Sequence, residues 1–182
     1  MFVSNGSDDI LNFAFMAFGK DAGVIFPDIT YGFYTVFAEL NGVKYKEVPL
    51  TSDFSVDIND YIGKNTTIVI ANPNAPTGKA LSLDEIEAIV KSNPDNVVVI
   101  DEAYIDFGGE SAVALTKKYD NIIVVQTFSK SRSMAGARLG FGVASESIIN
   151  DLNSIKYSTN PYNVNRLTAA TGLGAILDRE YF

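Results

Sequence analysis

Short runs of β-branched and other apolar residues recur along the chain, separated by longer segments with helical spacing. Several runs, including 68–70, 97–100 and 122–125, are apolar at every position rather than at alternate positions. Continuous apolar runs are typical of parallel strands that are covered by helices on both faces. The pattern therefore predicts a three-layer α/β fold with a mostly parallel sheet of seven strands, at 2–4, 23–26, 43–48, 67–71, 97–101, 122–126 and 140–144.

The segments between these runs carry helix signals. Ser82 and Glu85 have the three-residue spacing of a capping box, which predicts a helix that ends near Asn93. Ser7 precedes two acidic residues that favour the positive end of a helix, so Ser7 is interpreted as an N-cap. Two further helices are predicted over 30–40 and 163–177.

Charge and composition narrow the classes of function. The 182 residues include 14 Lys plus Arg against 22 Asp plus Glu, for a net charge of −8, and contain neither His nor Cys. An acidic chain without a basic stripe is a poor partner for nucleic acid. The missing residue types exclude a Ser-His-Asp triad, a cysteine nucleophile and imidazole or thiolate metal sites. Any proton transfer must therefore use Lys, Tyr, Asp or Glu.

The chain also lacks an apolar stretch of membrane-spanning length and a signal-peptide pattern at its start. These features predict a cytoplasmic protein that does not associate with membranes. The length fits one domain.

Four polar clusters follow predicted strands, at the sheet edge where ligands bind in parallel α/β folds. Each has an ordinary structural interpretation as well. Ser7 can simply cap a helix, the proline-rich segment can be a rigid turn, the acid pair can form a buried salt bridge, and a lone Lys is usually solvated. The clusters are 5–9, 72–78, 101–104 and 127–140.

Together these clusters contain the groups that a pyridoxal phosphate site needs. The amine of Lys130 can bond the cofactor's aldehyde, and an ionised Asp101 can keep the pyridine nitrogen protonated. The guanidinium of Arg138 and the amides of a helix N-terminus suit the phosphate. A phenol such as that of Tyr104 can bond the ring oxygen. Pyridoxal 5'-phosphate is therefore the predicted cofactor, and no metal is predicted.

Several motifs resemble those of the fold-type-I pyridoxal phosphate aminotransferases. They are Pro-Thr-Gly at 76–78, Asp-Glu-Ala-Tyr at 101–104, and Ser-Lys at 129–130 with Arg138 eight residues later. The fuller matches at 5–8, 27–32 and 128–140 are most similar to the members that act on histidinol phosphate. The resemblance covers essentially the whole chain.

The resemblance implies a role for each motif residue. Lys130 would hold the cofactor and shuttle the substrate proton, Asp101 would pair with the pyridinium nitrogen, and Tyr104 would bond the ring hydroxyl. Tyr31 would stack on the ring, and the phosphate would lie among Gly6, Ser7, Asp8, Thr127, Ser129 and Arg138. Family members usually carry a second ring-hydroxyl ligand, an Asn, where this chain has Ala75. Asn74 is the candidate replacement.

The resemblance also implies a larger assembly. We expect residues 1–182 to be the cofactor-binding large domain of a homodimeric enzyme, without the N-terminal arm and small C-terminal domain of family members, and thus poorly active alone. The expected reaction transfers an amino group from histidinol phosphate to 2-oxoglutarate.

Other assignments stay open. Another fold-type-I enzyme, such as an aromatic or aspartate aminotransferase or a decarboxylase of a phosphate-bearing substrate, would share these motifs. A non-catalytic α/β binding domain would use Lys130 and Asp101 only as a buried ion pair. A nucleotide-binding domain is disfavoured because the chain has neither a Gly-x-Gly-x-x-Gly segment nor a P-loop.

Overall fold

The computed structural model describes residues 1–181 and has a seven-stranded sheet as its central layer. All seven predicted strands are confirmed, with shifts of no more than two residues at their ends. The strands are β1 (Phe2–Ser4), β2 (Val24–Pro27), β3 (Tyr45–Val48), β4 (Thr67–Ala71), β5 (Val98–Asp101), β6 (Ile122–Thr127) and β7 (Gly140–Val143).

The sheet is mostly parallel, as predicted. Its order is β1-β7-β6-β5-β4-β2-β3. Strands β2 to β6 pair in parallel, whereas β7 is antiparallel to both of its neighbours. The carboxyl ends of β4, β5 and β6 therefore meet at one edge of the sheet, which is where parallel α/β folds place their ligands.

Helices cover the two faces of the sheet. They are α1 (Ser7–Ala22), α2 (Phe33–Asn41), α3 (Leu83–Ser92), α4 (Glu146–Thr159) and α5 (Arg166–Leu177). Helices α1, α2 and α4 bury one face of the sheet, while α3 and the 3₁₀ turn Ala112–Lys117 bury the other. Alternate residues of β4 divide between the two cores: Val69 lies in the first, and Ile68 and Ile70 lie in the second. This division explains why the central runs are apolar throughout.

The capping box of α3 is confirmed. The Glu85 amide donates to the Ser82 hydroxyl, and the Ser82 amide donates to the Glu85 carboxylate. The N-cap assignment of Ser7 is wrong: Gly6 occupies the cap position of α1 and Ser7 is its first helical residue. The φ of Gly6 is 84°, a conformation that glycine adopts without strain.

Two helices in the last third of the chain differ from the prediction. Helix α4 was not predicted from the sequence, and its buried residues are only Ile148 and Leu152, so its apolar stripe is weak. Helix α5 begins at Arg166 rather than at 163. Among residues 1–181, no helix has both the length and the apolar character needed to span a bilayer.

The start of β7 lies against the turn between β1 and α1. A Cβ atom added at Gly140 would lie 2.5 Å from both the carbonyl carbon of Gly6 and the amide nitrogen of Ser7. Only glycine permits this approach without displacement of the backbone. The contact fixes the N-terminus of α1 beside the segment that follows β6.

Replacing Gly140 with Ala should lower the free energy of unfolding by about 1–3 kcal/mol, the usual cost of overpacking. Urea denaturation measures the change. Gly174→Ala in α5 is the matched control, because its Cβ would meet nothing within 4 Å and Ala favours a helix. Equal stability of the two variants would contradict the close approach at Gly140.

Candidate active site

A cleft opens at the carboxyl ends of the central strands. All residues of the predicted cofactor set line it except Gly6 and Asn74. The lining members of that set are Ser7, Asp8, Tyr31, Asp101, Tyr104, Thr127, Ser129, Lys130 and Arg138. The fold thus brings four separate stretches of sequence into one cavity.

Asp101 is the most buried ionisable group of the cleft, with 4% of its surface exposed. The Tyr34 hydroxyl donates to Oδ2 at 2.8 Å, and the Ala103 amide donates to Oδ1 at 3.2 Å. Burial raises the pKa of Asp101 to about 6, since the carboxylate loses its hydration, and the negative charge of Asp8 adds to the rise. The two hydrogen bonds and the positive charge of Lys130 act in the opposite direction.

The neighbouring acid, Glu102, faces away from the cleft. Its carboxylate accepts hydrogen bonds from the Ser111 hydroxyl at 2.7 Å, the Ala112 amide at 2.6 Å and the Gln126 side chain at 2.7 Å. The ion pairs found among residues 1–181 include neither Asp101 nor Glu102. A buried salt bridge therefore does not explain this acid pair.

Lys130 and Tyr104 face each other across the cleft. The Lys130 Nζ lies 5.1 Å from the centroid of the Tyr104 ring, within the range of a cation–π contact. Lys130 is exposed and lies three residues beyond the end of β6, whereas Tyr104 precedes the 3₁₀ turn Ile105–Phe107. The amine thus lies at the cleft, and no carboxylate holds it in an ion pair among the described residues.

Arg138 forms the cationic end of the cleft. Its Nη2 lies 3.0 Å from Asp8 Oδ2, and its Nη1 donates to the Ser129 hydroxyl at 3.3 Å. The backbone of Arg138 is in the left-handed region, with φ of 55°, which is uncommon for a residue other than glycine and is often found at functional sites. A Cβ at Gly6 would lie 2.5 Å from Nη2, so glycine at this position makes room for the guanidinium.

Tyr31 lines the cleft and packs against aromatic neighbours that lie outside it. The Tyr31 hydroxyl donates to Asp8 Oδ1 at 2.9 Å, and burial together with the Asp8 charge raises the pKa of Tyr31. The ring meets Tyr34 edge to face, with centroids 5.6 Å apart, and stacks on Phe33. The Tyr31 ring thus presents an apolar surface beside the charged groups of the cleft.

Asn74 does not reach the cleft. Its side chain is 2% exposed, donates to the Ile29 carbonyl at 2.9 Å and to the Thr77 hydroxyl at 3.1 Å, and accepts from the Thr30 hydroxyl at 2.7 Å. These bonds tie its loop to the segment before α2. The adjacent Ala75 lines the cleft instead. The Asn74 side chain therefore bonds to its own loop and to the segment before α2, and its contact with the ring hydroxyl stays a prediction.

Tyr34, which contacts Asp101 from the side away from the cleft, was not predicted from the sequence. Its one available signal was its position three residues after Tyr31, which places both rings on one side of a helical turn. The lining residues Ala71, Pro73 and Ala103 were also not singled out. They lie in or beside the polar clusters at 72–78 and 101–104.

The sequence of the chain matches a known family. The family model described as aminotransferase class I and II matches residues 1–181. The chain belongs to that family.

Relatives of known name align along the whole chain. The histidinol-phosphate aminotransferase of Brachyspira hyodysenteriae is 54% identical over 184 residues, which cover 100% of this chain and 52% of that protein. Histidinol-phosphate aminotransferase 2 of Dechloromonas aromatica is 51% identical over 184 residues, with coverages of 100% and 52%. The chain therefore spans about half the length of these relatives.

Solved structures share the fold. The histidinol-phosphate aminotransferase from Clostridium acetobutylicum superposes with a TM-score of 0.89 at 25% identity and covers 98% of this chain and 55% of its own. The histidinol-phosphate aminotransferase from Sinorhizobium meliloti, in complex with pyridoxal-5'-phosphate, superposes with a TM-score of 0.87 at 22% identity. The match covers 99% of this chain and 51% of that chain. The three-layer architecture is thus that of the family.

The buried carboxyl group gives a testable pH dependence. The pKa of Asp101 rises from 3.8 to about 6 on folding, so the stability it contributes is present at low pH and is lost as the pH rises through that window. Asp101→Asn should abolish this loss. Relative to wild type, the variant should gain about 2 kcal/mol in unfolding free energy between pH 4 and pH 7, measured in urea without added cofactor. A difference that is the same at both pH values would contradict the assignment.

Proposed function

We propose that this chain is the pyridoxal phosphate-binding large domain of an aminotransferase that moves the amino group of histidinol phosphate to 2-oxoglutarate. The observation that carries the proposal is one cleft that holds the Lys130 amine, the buried Asp101 carboxyl group and the Arg138 guanidinium. The identity of 54% with a histidinol-phosphate aminotransferase supports the choice of amino donor.

The donor set of the cleft fits this cofactor. Arg138, Ser129, Thr127 and the first amides of α1 suit a phosphate, because they combine positive charge with N–H and O–H groups. Asp101, which also lines the cleft, suits a protonated ring nitrogen. A solved relative from Sinorhizobium meliloti is named as a complex with pyridoxal-5'-phosphate.

When bound, the cofactor would act as an electron sink for the carbanion formed at the substrate's α-carbon. Lys130 would hold it covalently through Nζ and, once displaced by the substrate amine, would take the proton from the α-carbon. Asp101 would remain ionised and hold a proton on the facing ring nitrogen. Tyr104 would donate its phenol to the ring oxygen, and Tyr31 would orient the ring by stacking.

The Arg138–Asp8 ion pair does not oppose phosphate binding strongly. Both side chains are about 40% exposed, and pairs of that exposure contribute little to stability because water screens them. Exchange of the Asp8 carboxylate for a phosphate on Arg138 therefore costs little. The pair keeps the guanidinium directed at the cleft until then.

The greater length of the relatives supports the proposal that this chain is one domain of a larger enzyme. Because the chain matches 52% of the Brachyspira protein, the complete enzyme would contain further segments that finish the substrate site, and this chain alone would turn over substrate poorly. The exposed apolar residues of α5, Leu167, Leu173, Ile176 and Leu177, suit burial in a homodimer or against such segments. The partners would be small molecules in the cytoplasm rather than nucleic acid or a membrane.

The fold alone does not select the substrate. An aromatic aminotransferase from Pyrococcus horikoshii superposes with a TM-score of 0.84 at 27% identity. An L-threonine-O-3-phosphate decarboxylase from Porphyromonas gingivalis superposes with a TM-score of 0.79 at 21% identity. An aromatic aminotransferase is therefore the second candidate.

The covalent assignment predicts a single labelled lysine. Incubation with pyridoxal phosphate, reduction with borohydride and peptide mass spectrometry should place the modification on Lys130. Lys130→Ala should remove at least nine-tenths of the label, and Lys64→Ala, an exchange outside the cleft, should retain it. A folded protein that is labelled at another lysine would disprove the assignment.

The donor assignment predicts a preference among substrates. The full-length enzyme should show kcat/KM for histidinol phosphate at least a hundredfold above that for aspartate or an aromatic amino acid, because a site that binds a phosphate rejects donors that lack it. Steady-state assays with 2-oxoglutarate as acceptor measure the ratio. Comparable values for an aromatic donor would favour the second candidate.

A further inference from the structure

Tyr34 contacts the carboxyl group of Asp101 from the side opposite the cleft. Its hydroxyl donates to Oδ2 at 2.8 Å, and the side chain is fully buried in α2. The two residues are 67 positions apart in the chain. Tyr34 itself does not line the cleft.

Tyr34 is held rigidly by aromatic neighbours. Its ring meets Phe26 edge to face at 5.7 Å, packs on Phe15 at 6.4 Å and meets Tyr31 edge to face at 5.6 Å. Such pairs lock both side-chain torsions of a tyrosine. The hydroxyl therefore has one position, and among the described residues the hydrogen-bond partner found for it is Asp101.

The contact leaves the carboxyl group with one fixed rotation. Oδ2 accepts from Tyr34, while Oδ1 accepts from the Ala103 amide. Each oxygen keeps a further lone pair, and a carboxylate can accept about four hydrogen bonds in total. A ring N–H that enters the cleft thus meets an acceptor whose orientation is set in advance.

We propose that Tyr34 is a positioning residue of the aminotransferase site: its buried hydroxyl fixes the rotation of the Asp101 carboxyl group and favours its ionised form. This inference rests on the proposed function, because only a bound pyridinium needs an ionised Asp101. A hydrogen bond to a charged acceptor in a dry site is worth more than one to a neutral acceptor.

Other charges around Asp101 act with or against Tyr34. Asp8, at the start of α1, disfavours the ionised carboxyl group, whereas Lys130, beyond β6, favours it. Tyr31 faces the same region and is itself affected by the charge of Asp101. None of these groups donates a hydrogen bond to Asp101, so the contribution of Tyr34 can be separated from theirs by removing one oxygen atom.

Tyr34→Phe removes that oxygen and keeps the ring. Tyr61→Phe is the matched control, since Tyr61 is 1% exposed in the opposite core and its hydroxyl has no hydrogen-bond partner among the described residues. Two readouts are compared in both variants: the pKa of Asp101 from its ¹³Cγ resonance without cofactor, assigned with Asp101→Asn, and the pH dependence of the dissociation constant for pyridoxal phosphate.

In the Tyr34→Phe variant, the pKa of Asp101 should rise by about one unit, and pyridoxal phosphate should bind about tenfold more weakly at about pH 5, where Asp101 is mostly protonated in both proteins. The difference in affinity should shrink at higher pH, where Asp101 is ionised in either protein. The Tyr61→Phe variant should behave as wild type. In wild type alone, the ¹³Cζ resonance of Tyr34 should follow the titration of Asp101, which tests the contact even if the variant does not fold.

The outcomes separate the two proposals. If wild type fails to bind pyridoxal phosphate, the proposed function is wrong and this inference falls with it. Two results would show that only the role of Tyr34 is wrong, provided that wild type binds pyridoxal phosphate. The first is the same Asp101 pKa in Tyr34→Phe as in Tyr61→Phe, and the second is a Tyr34 ¹³Cζ resonance that does not change as Asp101 titrates. A uniform loss of affinity at all pH values would indicate a merely structural effect and would also overturn the inference.

Discussion

Ionising the carboxyl group of Asp101 is costly, because Asp101 ends a strand that lies between two other apolar strands and is 4% exposed. The surrounding elements reduce that cost without removing it: Tyr34 and the Ala103 amide supply hydrogen bonds, and Lys130 supplies charge. The cleft is therefore built around a group that weakens the cofactor-free chain. Stability and function oppose each other at this position, as is common where a site needs a perturbed carboxyl group.

Much of the fold could be predicted because burial on both faces leaves a simple signature in the sequence. The uninterrupted apolar runs of β4, β5 and β6 predict that these segments are strands and that the sheet they form is the buried central layer. Helix α4 was missed because it buries few residues, Ile148 and Leu152 among them, so its periodicity is faint. The cap at Ser7 was misassigned because Gly6, with positive φ, turns the chain one residue earlier.

The sequence predicts which residues reach the candidate site where those residues lie at the ends of strands. Asp101 ends β5 and Lys130 follows the neighbouring β6, so topology alone brings them to one edge. Side-chain direction was not predictable. Asn74 lies in a predicted cluster yet turns inward to three partners, and Tyr34 lies outside every cluster yet touches Asp101. Both depend on contacts with residues more than 40 positions away, which spacing within a motif does not reveal.

The pairing of Arg138 with Asp8 gives the cleft its own counter-ion. Under the proposed function, a phosphate that binds Arg138 would replace the Asp8 carboxylate, so the guanidinium would keep a negative partner throughout. Binding and release of the phosphate would then be an exchange of one anion for another. The Asp8 carboxylate would also repel multiply charged anions that lack further contacts, which would disfavour free phosphate relative to a phosphate attached to a ring that Tyr31 and Asp101 can hold.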